Sequence, residues 1–193
     1  KPIGNLLKGS DGKLYGTTTL GGTKNYGCFF SFDPTTNTMV NIQNFADNIG
    51  RTPNADMVEV GGKIYGTTYE GGTGGTGTLF EYTIATNTYT VKKSFVSFPA
   101  TLGYYPVNGL IVGQNGKLYG QTKQGVMPAN NGIFEYDIAT NVLSLVFAFA
   151  TNTNAFRGGF VEGASGIFYG YYGRYLYKVD INSNTQSTLA DFY

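Results

Sequence analysis

Chemistry in this chain has few places to come from. The sequence holds twelve Asp and Glu residues, thirteen Lys and Arg, sixteen tyrosines and one cysteine, with no histidine and no tryptophan. Without histidine there can be no Ser-His-Asp or Cys-His nucleophile system and no imidazole-ligated metal. A single cysteine, Cys28, excludes an internal disulfide, and its place beside Phe29 and Phe30 reads as a small buried hydrophobe. A glycosidase-type site needs two carboxylates about 5–10 Å apart in one cleft. The loop candidates are Asp47, Asp56 and Glu70, and nothing in their spacing brings two together. The glycine-rich stretch 71–77 has no Gly-Lys-Ser/Thr ending, so it reads as a turn between strands rather than a phosphate cradle. No Asp-x-Asp-x-Asp-Gly loop points to calcium. A net charge of +1 leaves no cationic surplus for a nucleic-acid backbone. The reading is a non-enzymatic protein with no cofactor and no metal.

What positions these residues is a repeat. Gly12-Lys13-Leu14-Tyr15-Gly16 recurs as Gly62-Lys63-Ile64-Tyr65-Gly66, Gly116-Lys117-Leu118-Tyr119-Gly120 and Gly166-Ile167-Phe168-Tyr169-Gly170, with tyrosine spacings of 50, 54 and 50. Phe30, Phe80, Phe134 and Tyr177 follow as a second marker, and Phe45, Phe95, Phe149 and Phe192 close each copy. Asn37, Asn87, Asn141 and Asn184 fall in register within Thr/Ser-rich turns. Four markers in four copies define four units, at approximately 1–50, 51–103, 104–153 and 154–193, in one repeat domain.

Each unit divides into four short β-type runs, in the third copy near 108–113, 117–122, 132–138 and 142–149. The turns Ser10-Asp11-Gly12, Gly61-Gly62, Asn115-Gly116 and Ser165-Gly166 are hairpin signals. Phe134, Tyr136 and Ile138 alternate with Ile133, Glu135 and Asp137, a period of two that belongs to a strand. Four antiparallel strands every ~50 residues predict an all-β fold, a β-propeller of four four-stranded blades. One closed four-bladed ring is favoured, because an open array leaves strand edges and blade faces uncovered. Half of an eight-bladed ring made by two chains, a fragment of a longer array, and a β-prism or stacked sandwich are the alternatives. Asp33, Asp137 and Asp180 stand just before the Asn turns, where Asp caps a turn, and Glu81 and Glu135 share another repeated position.

The segment Gly-Lys-Leu-Tyr-Gly-Thr-Thr-x-x-Gly-Gly at 12–22, with Gly-Thr-Leu-Phe-Glu at 77–81, resembles the bacterial tandem repeat of the Gloeo/Verruco type. That repeat reads Gly-x-Leu-Tyr-Gly-Thr-Thr-x-x-Gly-Gly, four residues, then Gly-Thr-Val-Phe. The resemblance implies a propeller-like fold in a large secreted or surface protein, and it transfers no catalytic residue. Copy three departs at Gln121-Thr122-Lys123-Gln124-Gly125, and copy four lacks the loop.

In a propeller, the loops between second and third strands and those joining blades share one face, a common place for ligands. These loops contribute Tyr26, Arg51, Tyr69, Tyr104, Tyr105, Arg157, Tyr171, Tyr172 and Arg174, together with the copy-three loop 124–130. From Gly120 to Phe134 is 14 residues and from Gly170 to Tyr177 only 7, so copy four offers Tyr171-Tyr172-Gly173-Arg174-Tyr175 instead of a loop. Tyrosines there would be flat stacking platforms for a glycan or peptide, or else pack between blades. No apolar run approaches the ~18 residues of a membrane span. Lys1 in place of an initiator Met reads as a processed or trimmed product. The expectation is a secreted, extracellular or cell-surface module for structural or surface interaction, able to assemble into a surface layer or fibre, whose partners are copies of itself or cell-surface glycans and proteins. The alternative is a lectin-like binder, with a carboxylate-based hydrolase or lyase behind it.

Overall fold

The computed structural model describes residues 1–2, 4–97, 102–124, 131–149 and 156–193. The chain divides into two compact units, Lys1–Val96 and Ser97–Tyr193. The first holds blade 1, made of β1 (Leu7–Lys8), β2 (Leu14–Thr18), β3 (Cys28–Asp33) and β4 (Thr38–Asn44). It also holds blade 2, made of β5 (Val58–Val60), β6 (Lys63–Thr68), β7 (Thr78–Thr83) and β8 (Thr88–Ser94). The second unit holds blade 3, with β9 (Tyr104–Val112), β10 (Leu118–Gln124), β11 (Gly132–Asp137) and β12 (Val142–Ala148). Blade 4 follows, with β13 (Phe156–Ala164), β14 (Ile167–Tyr172), β15 (Tyr175–Asp180) and β16 (Thr185–Asp191). Every blade is an antiparallel meander with neighbouring strands in chain order.

Local chemistry explains the meander. Asn37, Asn87, Asn141 and Asn184 all adopt left-handed backbone, with φ of 55°, 52°, 55° and 52°. Asparagine tolerates that region better than other side chains bearing a Cβ, and it ends each turn before the fourth strand. The first hairpin of each blade turns on a positive-φ glycine: Gly12, Gly62, Gly116 or Gly166. The glycine of the Tyr-Gly motif has a different cause. Gly16, Gly66, Gly120 and Gly170 lie directly across from Phe30, Phe80, Phe134 and Tyr177. A Cβ at any of the four would run into the opposing aromatic side chain. The third and fourth strands also slip register at the same marker in every blade, between Phe29/Phe30, Leu79/Phe80, Ile133/Phe134 and Leu176/Tyr177. Such a bulge sharpens the local twist and re-aims the aromatic ring.

Packing follows from those columns. In the first unit, Tyr15, Phe29 and Phe45 of blade 1 form one core with Met57, Phe80 and Tyr82 of blade 2. Ring centroids lie 5.9 Å apart for Phe29–Phe80, 5.2 Å for Phe29–Tyr82 and 5.9 Å for Phe45–Phe80. In the second unit the matching set is Tyr119, Ile133 and Phe149 of blade 3 against Phe160, Phe168 and Tyr177 of blade 4. Here the short contacts are Tyr119–Phe168 at 4.8 Å and Phe149–Tyr177 at 5.2 Å. Edge and tilted aromatic contacts of this kind contribute beyond their buried area, by about 0.5–1.5 kcal/mol per pair.

A second device joins the blades inside each unit. Glu59 Oε2 accepts the Ser10 N–H at 2.8 Å, and Glu162 Oε2 accepts the Gln114 N–H at 2.6 Å. In both cases a carboxylate on the first strand of one blade holds the first hairpin of the preceding blade. Strand register puts Lys8 and Val112 at the equivalent positions of blades 1 and 3. The staple therefore occurs once per unit.

Candidate functional site

The repeated tyrosines are anchors. Tyr65 donates to Glu81 Oε2 at 2.9 Å, and Lys63 Nζ reaches Glu81 Oε1 at 3.1 Å. Tyr119 and Lys117 repeat this on Glu135, at 2.7 and 2.6 Å. The Lys-x-Tyr motif and the Glu of the third strand thus form one cross-strand clamp. In blade 1 that Glu is replaced by Ser31, and Tyr15 donates instead to Asp11 Oδ2 in the adjoining turn, at 2.9 Å. Burial acts to raise the Glu81 carboxyl, but bonds from Tyr65 and Lys63 and the charge of Lys92 outweigh it, so the group sits below its ordinary value. Burial pushes the phenols of Tyr15 and Tyr119 well above the usual tyrosine range. Glu81 stays ionised and these phenols stay protonated, which suits a clamp.

The remaining repeated acids cap turns. Asp33 Oδ1 accepts from the Thr35 N–H at 2.8 Å, Asp137 Oδ1 from Ala139 at 2.9 Å and Asp180 Oδ1 from Asn182 at 2.9 Å. Asp56 binds the backbone N–H and the side-chain amide of Asn5, at 2.7 and 3.0 Å. The glycine loop folds on itself, with Gly71 N–H on Gly75 O, Gly77 N–H on Gly71 O and Gly72 N–H on Asp47 O. Those amides are already used, as a turn between strands requires. Among the described residues, no group of three Asp, Glu, Cys or His side chains could hold a metal ion.

The loop residues singled out by sequence gather in three places. Arg51 is the hub of the first. Its guanidinium lies over the Tyr26 ring at 5.3 Å, with Nη1 3.3 Å from Asp47 Oδ1 and Nε 3.1 Å from Glu70 Oε2. The Nε–H is aimed off the Glu70 oxygen, so that contact is coulombic and not a directed hydrogen bond. Backbone bonds Thr52 N–H to Tyr26 O and Tyr69 N–H to Thr52 O bring Tyr69 into the same cluster. Sequence spacing gave no reason for Asp47 and Glu70 to meet, and the structure places both on one cation. A guanidinium between two carboxylates holds them in place.

The second place is blade 4. Arg174 Nε pairs with Asp191 Oδ1 at 2.7 Å, and its guanidinium lies over Tyr193 at 4.0 Å and Tyr175 at 5.1 Å. Tyr171 is exposed, with Phe192 beside it at 6.1 Å. Tyr172 turns inward and stacks on Tyr177 at 5.8 Å, against the core of the unit. The third place is the pair Tyr104–Tyr105, edge to face at 5.1 Å, where Tyr105 holds a positive φ of 58°. The copy-three loop at 125–130 and the side chain of Arg157 lie outside the described residues. Cys28 is half-buried rather than enclosed, with Sγ 3.3 Å from Thr18 Oγ1, because its position on β3 opens toward the loop end of the blade.

One buried interaction joins two departures from the repeat. Gln121 is fully buried, accepts from Asn108 Nδ2 at 2.9 Å and donates through Nε2 to the Tyr177 hydroxyl at 2.6 Å. Copy three departs from the Thr-Thr pattern at Gln121, and copy four departs from phenylalanine at Tyr177. The two departures are partners.

Meander sheets of four strands, packed face to face through aromatic columns, are β-propeller blades, and the fold is all-β with four of them. The chain belongs to the Gloeobacter/Verrucomicrobia repeat family, whose sequence model matches residues 1–175. Comparison with curated proteins gives no match. Among solved structures, the chain is similar to the extracellular domain of the putative one-component system BT4673 from B. thetaiotaomicron, with 14% identity and a TM-score of 0.66. That match covers 98% of this chain and 24% of the other. It is also similar to a chain of the nidogen/laminin complex, at 13% identity and a TM-score of 0.63, covering 100% of this chain and 66% of that one. TolB from Acinetobacter baumannii matches at 14% identity and a TM-score of 0.56, over 97% of this chain and 44% of its own. The likeness at these identities is one of fold. The chain spans about a quarter of the first of these structures.

Proposed function

We propose that this protein is a secreted, non-enzymatic propeller-type module that works by surface interaction outside the cell. The observation that carries this reading is how its ionisable groups are spent. Glu81 and Glu135 are held in Tyr–Lys clamps, Asp33, Asp137 and Asp180 cap turns, and Asp47 and Glu70 share Arg51. The exposed aromatic and cationic groups, Tyr171, Arg174 and Tyr193, stand at a loop end where a partner can reach them. Similarity of fold to the extracellular domain of a putative one-component system supports the location. Protease treatment of intact producing cells tests it. The protein is expected in the medium or digested at the surface, and a pool protected until lysis would overturn the proposal.

A lectin-like role is the second reading, favoured by two exposed residues of blade 4, Tyr171 and Arg174. Tyrosine faces stack on sugar rings while an arginine donates to hydroxyls or carboxylates. A glycan array probed with the native protein and with Tyr171→Ala addresses it. Binding that the substitution abolishes supports this role, and silence with millimolar glycans removes it.

A further inference from the structure

We infer that the first unit binds one neutral hexose ring, in a cavity left where a repeated carboxylate has moved off its strand. In blades 2 and 3 the third strand carries Glu81 and Glu135, directly opposite Tyr65 and Tyr119. Blade 1 has Ser31 at that register position, opposite Tyr15. Its carboxylate stands in the adjoining turn instead, as Asp11, where blade 3 has Asn115. Tyr15 keeps an acid partner by this exchange, and Lys13 pairs with Asp11 at 3.4 Å. The fourth strand changes too, with Val40 and Ile42 where blade 2 has Thr90 and Lys92. What remains is a cavity of about 260 Å³ between blades 1 and 2, inside the unit Lys1–Val96. Lys13, Ser31, Asp33 and Thr38 of blade 1 line it together with Tyr82 and Asn87 of blade 2, and Val40 and Ile42 give it an apolar side.

Ser31 is 7% exposed, and its hydroxyl has no hydrogen-bond partner among the described residues. Buried hydroxyls are as a rule partnered, so this one calls for a group from outside the chain. The functions around it are both donors and acceptors. Asn87 takes the Tyr82 hydroxyl on Oδ1 at 2.7 Å, which leaves its amide N–H groups to donate. Asp33 caps its turn through Oδ1, which leaves Oδ2 to accept. Charge then selects the ligand. A ligand anion would meet Asp33 and Asp11, and a ligand cation would meet Lys13. A neutral ring of hydroxyls gains a charge-assisted bond from each sign, one hydroxyl accepting from Lys13 while another donates to Asp33. Its C–H face suits Val40 and Ile42. Ligand sites run from about 300 Å³ upward, so a cavity this small takes a single ring and not a length of chain. The inference names a ligand class for the surface-interaction reading and rests on it only for where the sugar is met.

The test is titration of the isotope-labelled protein with the methyl glycosides of glucose, galactose and mannose, followed by amide chemical shifts. Saturable shifts at Ser31, Asp33 and Asn87 are expected with at least one of them, and glucuronate and glucosamine should bind more weakly than the neutral sugar. Ser31→Glu returns the residue type of blades 2 and 3, fills the cavity and should abolish the shifts, with circular dichroism verifying the fold. Asp33→Asn keeps the turn-capping oxygen and should weaken binding about tenfold by removing a charge-assisted bond. That second variant decides the matter even where Ser31→Glu does not fold. No saturable shift with any of the three sugars overturns the inference. Binding untouched by Asp33→Asn, a preference for the charged sugars, or shifts centred on Tyr171 in blade 4 would overturn it as well. The same preparations keep the two readings apart. A protein found outside the cell that binds none of the sugars defeats only this site, and a sugar-binding protein confined to the cytoplasm defeats only the module reading.

Discussion

Replacing Tyr177 by Phe removes one hydroxyl from a position where the three other copies have phenylalanine. The ring has room, since Phe80 fills the same column of blade 2. What changes is Gln121, fully buried, whose Nε2 loses its 2.6 Å partner while Oε1 keeps Asn108. An unsatisfied buried amide donor costs about 1–3 kcal/mol. For a chain of this size, Tm falls by about 2–4 °C per kcal/mol, which gives a loss of roughly 2–12 °C. Gln121→Thr restores the residue that copy two carries at Thr67 and should also destabilise, because it strips the Tyr177 hydroxyl of its donor. The double variant Gln121→Thr/Tyr177→Phe reinstates the Thr and Phe pairing of the first unit, and its cost should fall below the sum of the singles by about 1 kcal/mol or more. Thermal and urea unfolding followed by circular dichroism read all four corners of the cycle. Additive losses would refute the coupling, and a Tyr177→Phe variant as stable as the parent would refute the hydrogen bond.

Glu162→Ala removes the acceptor of the Gln114 and Gly166 N–H groups, at 2.6 and 2.7 Å, and should cost about 1–2 kcal/mol in urea unfolding. Asn37→Ala should cost about 1 kcal/mol because φ is 55° there, whereas Asn37→Gly should be close to neutral by thermal unfolding. Stability should decline on the acid side. Hydrogen bonds from Thr35 hold the Asp33 carboxyl below its ordinary value, and the backbone of Thr140 does the same for Asp137. Their contribution is present above the unfolded value of about 4 and is lost as pH falls through the lower folded values. The phenols of Tyr15, Tyr119 and Tyr177 shift upward, mainly by burial, so stability present below the unfolded value of about 10 should be lost as pH rises further. A urea midpoint flat from pH 3 to 11 would contradict both directions.

The period made the blades readable because each marker has a local backbone reason. Asn37 and its three counterparts need left-handed backbone, and Gly16 and its counterparts lie beneath an aromatic ring. Those requirements recur with every copy, so they print on the sequence. The loop contacts do not recur. Arg51 gathers Asp47 and Glu70 through side-chain directions that strand periodicity leaves open. Gln121 and Tyr177 escaped because each looks like an isolated departure in its own copy, 56 residues from its partner. Reading departures across adjacent copies as pairs would have found them. Tyr172 reads in the sequence as one more loop tyrosine, yet it stacks into the core because it ends β14 on the opposite face from the exposed Tyr171.

The single staple in each unit sets the grain at which this protein comes apart. One blade alone has an aromatic face and no cover. Two blades joined by Glu59, or by Glu162, enclose one complete aromatic core. Native-state hydrogen exchange should therefore release amides in blocks matching Lys1–Val96 and Ser97–Tyr193, with β2 and β7 opening together and β10 and β15 opening together. Counted by cooperativity, a chain with four repeats in its sequence has two moving parts.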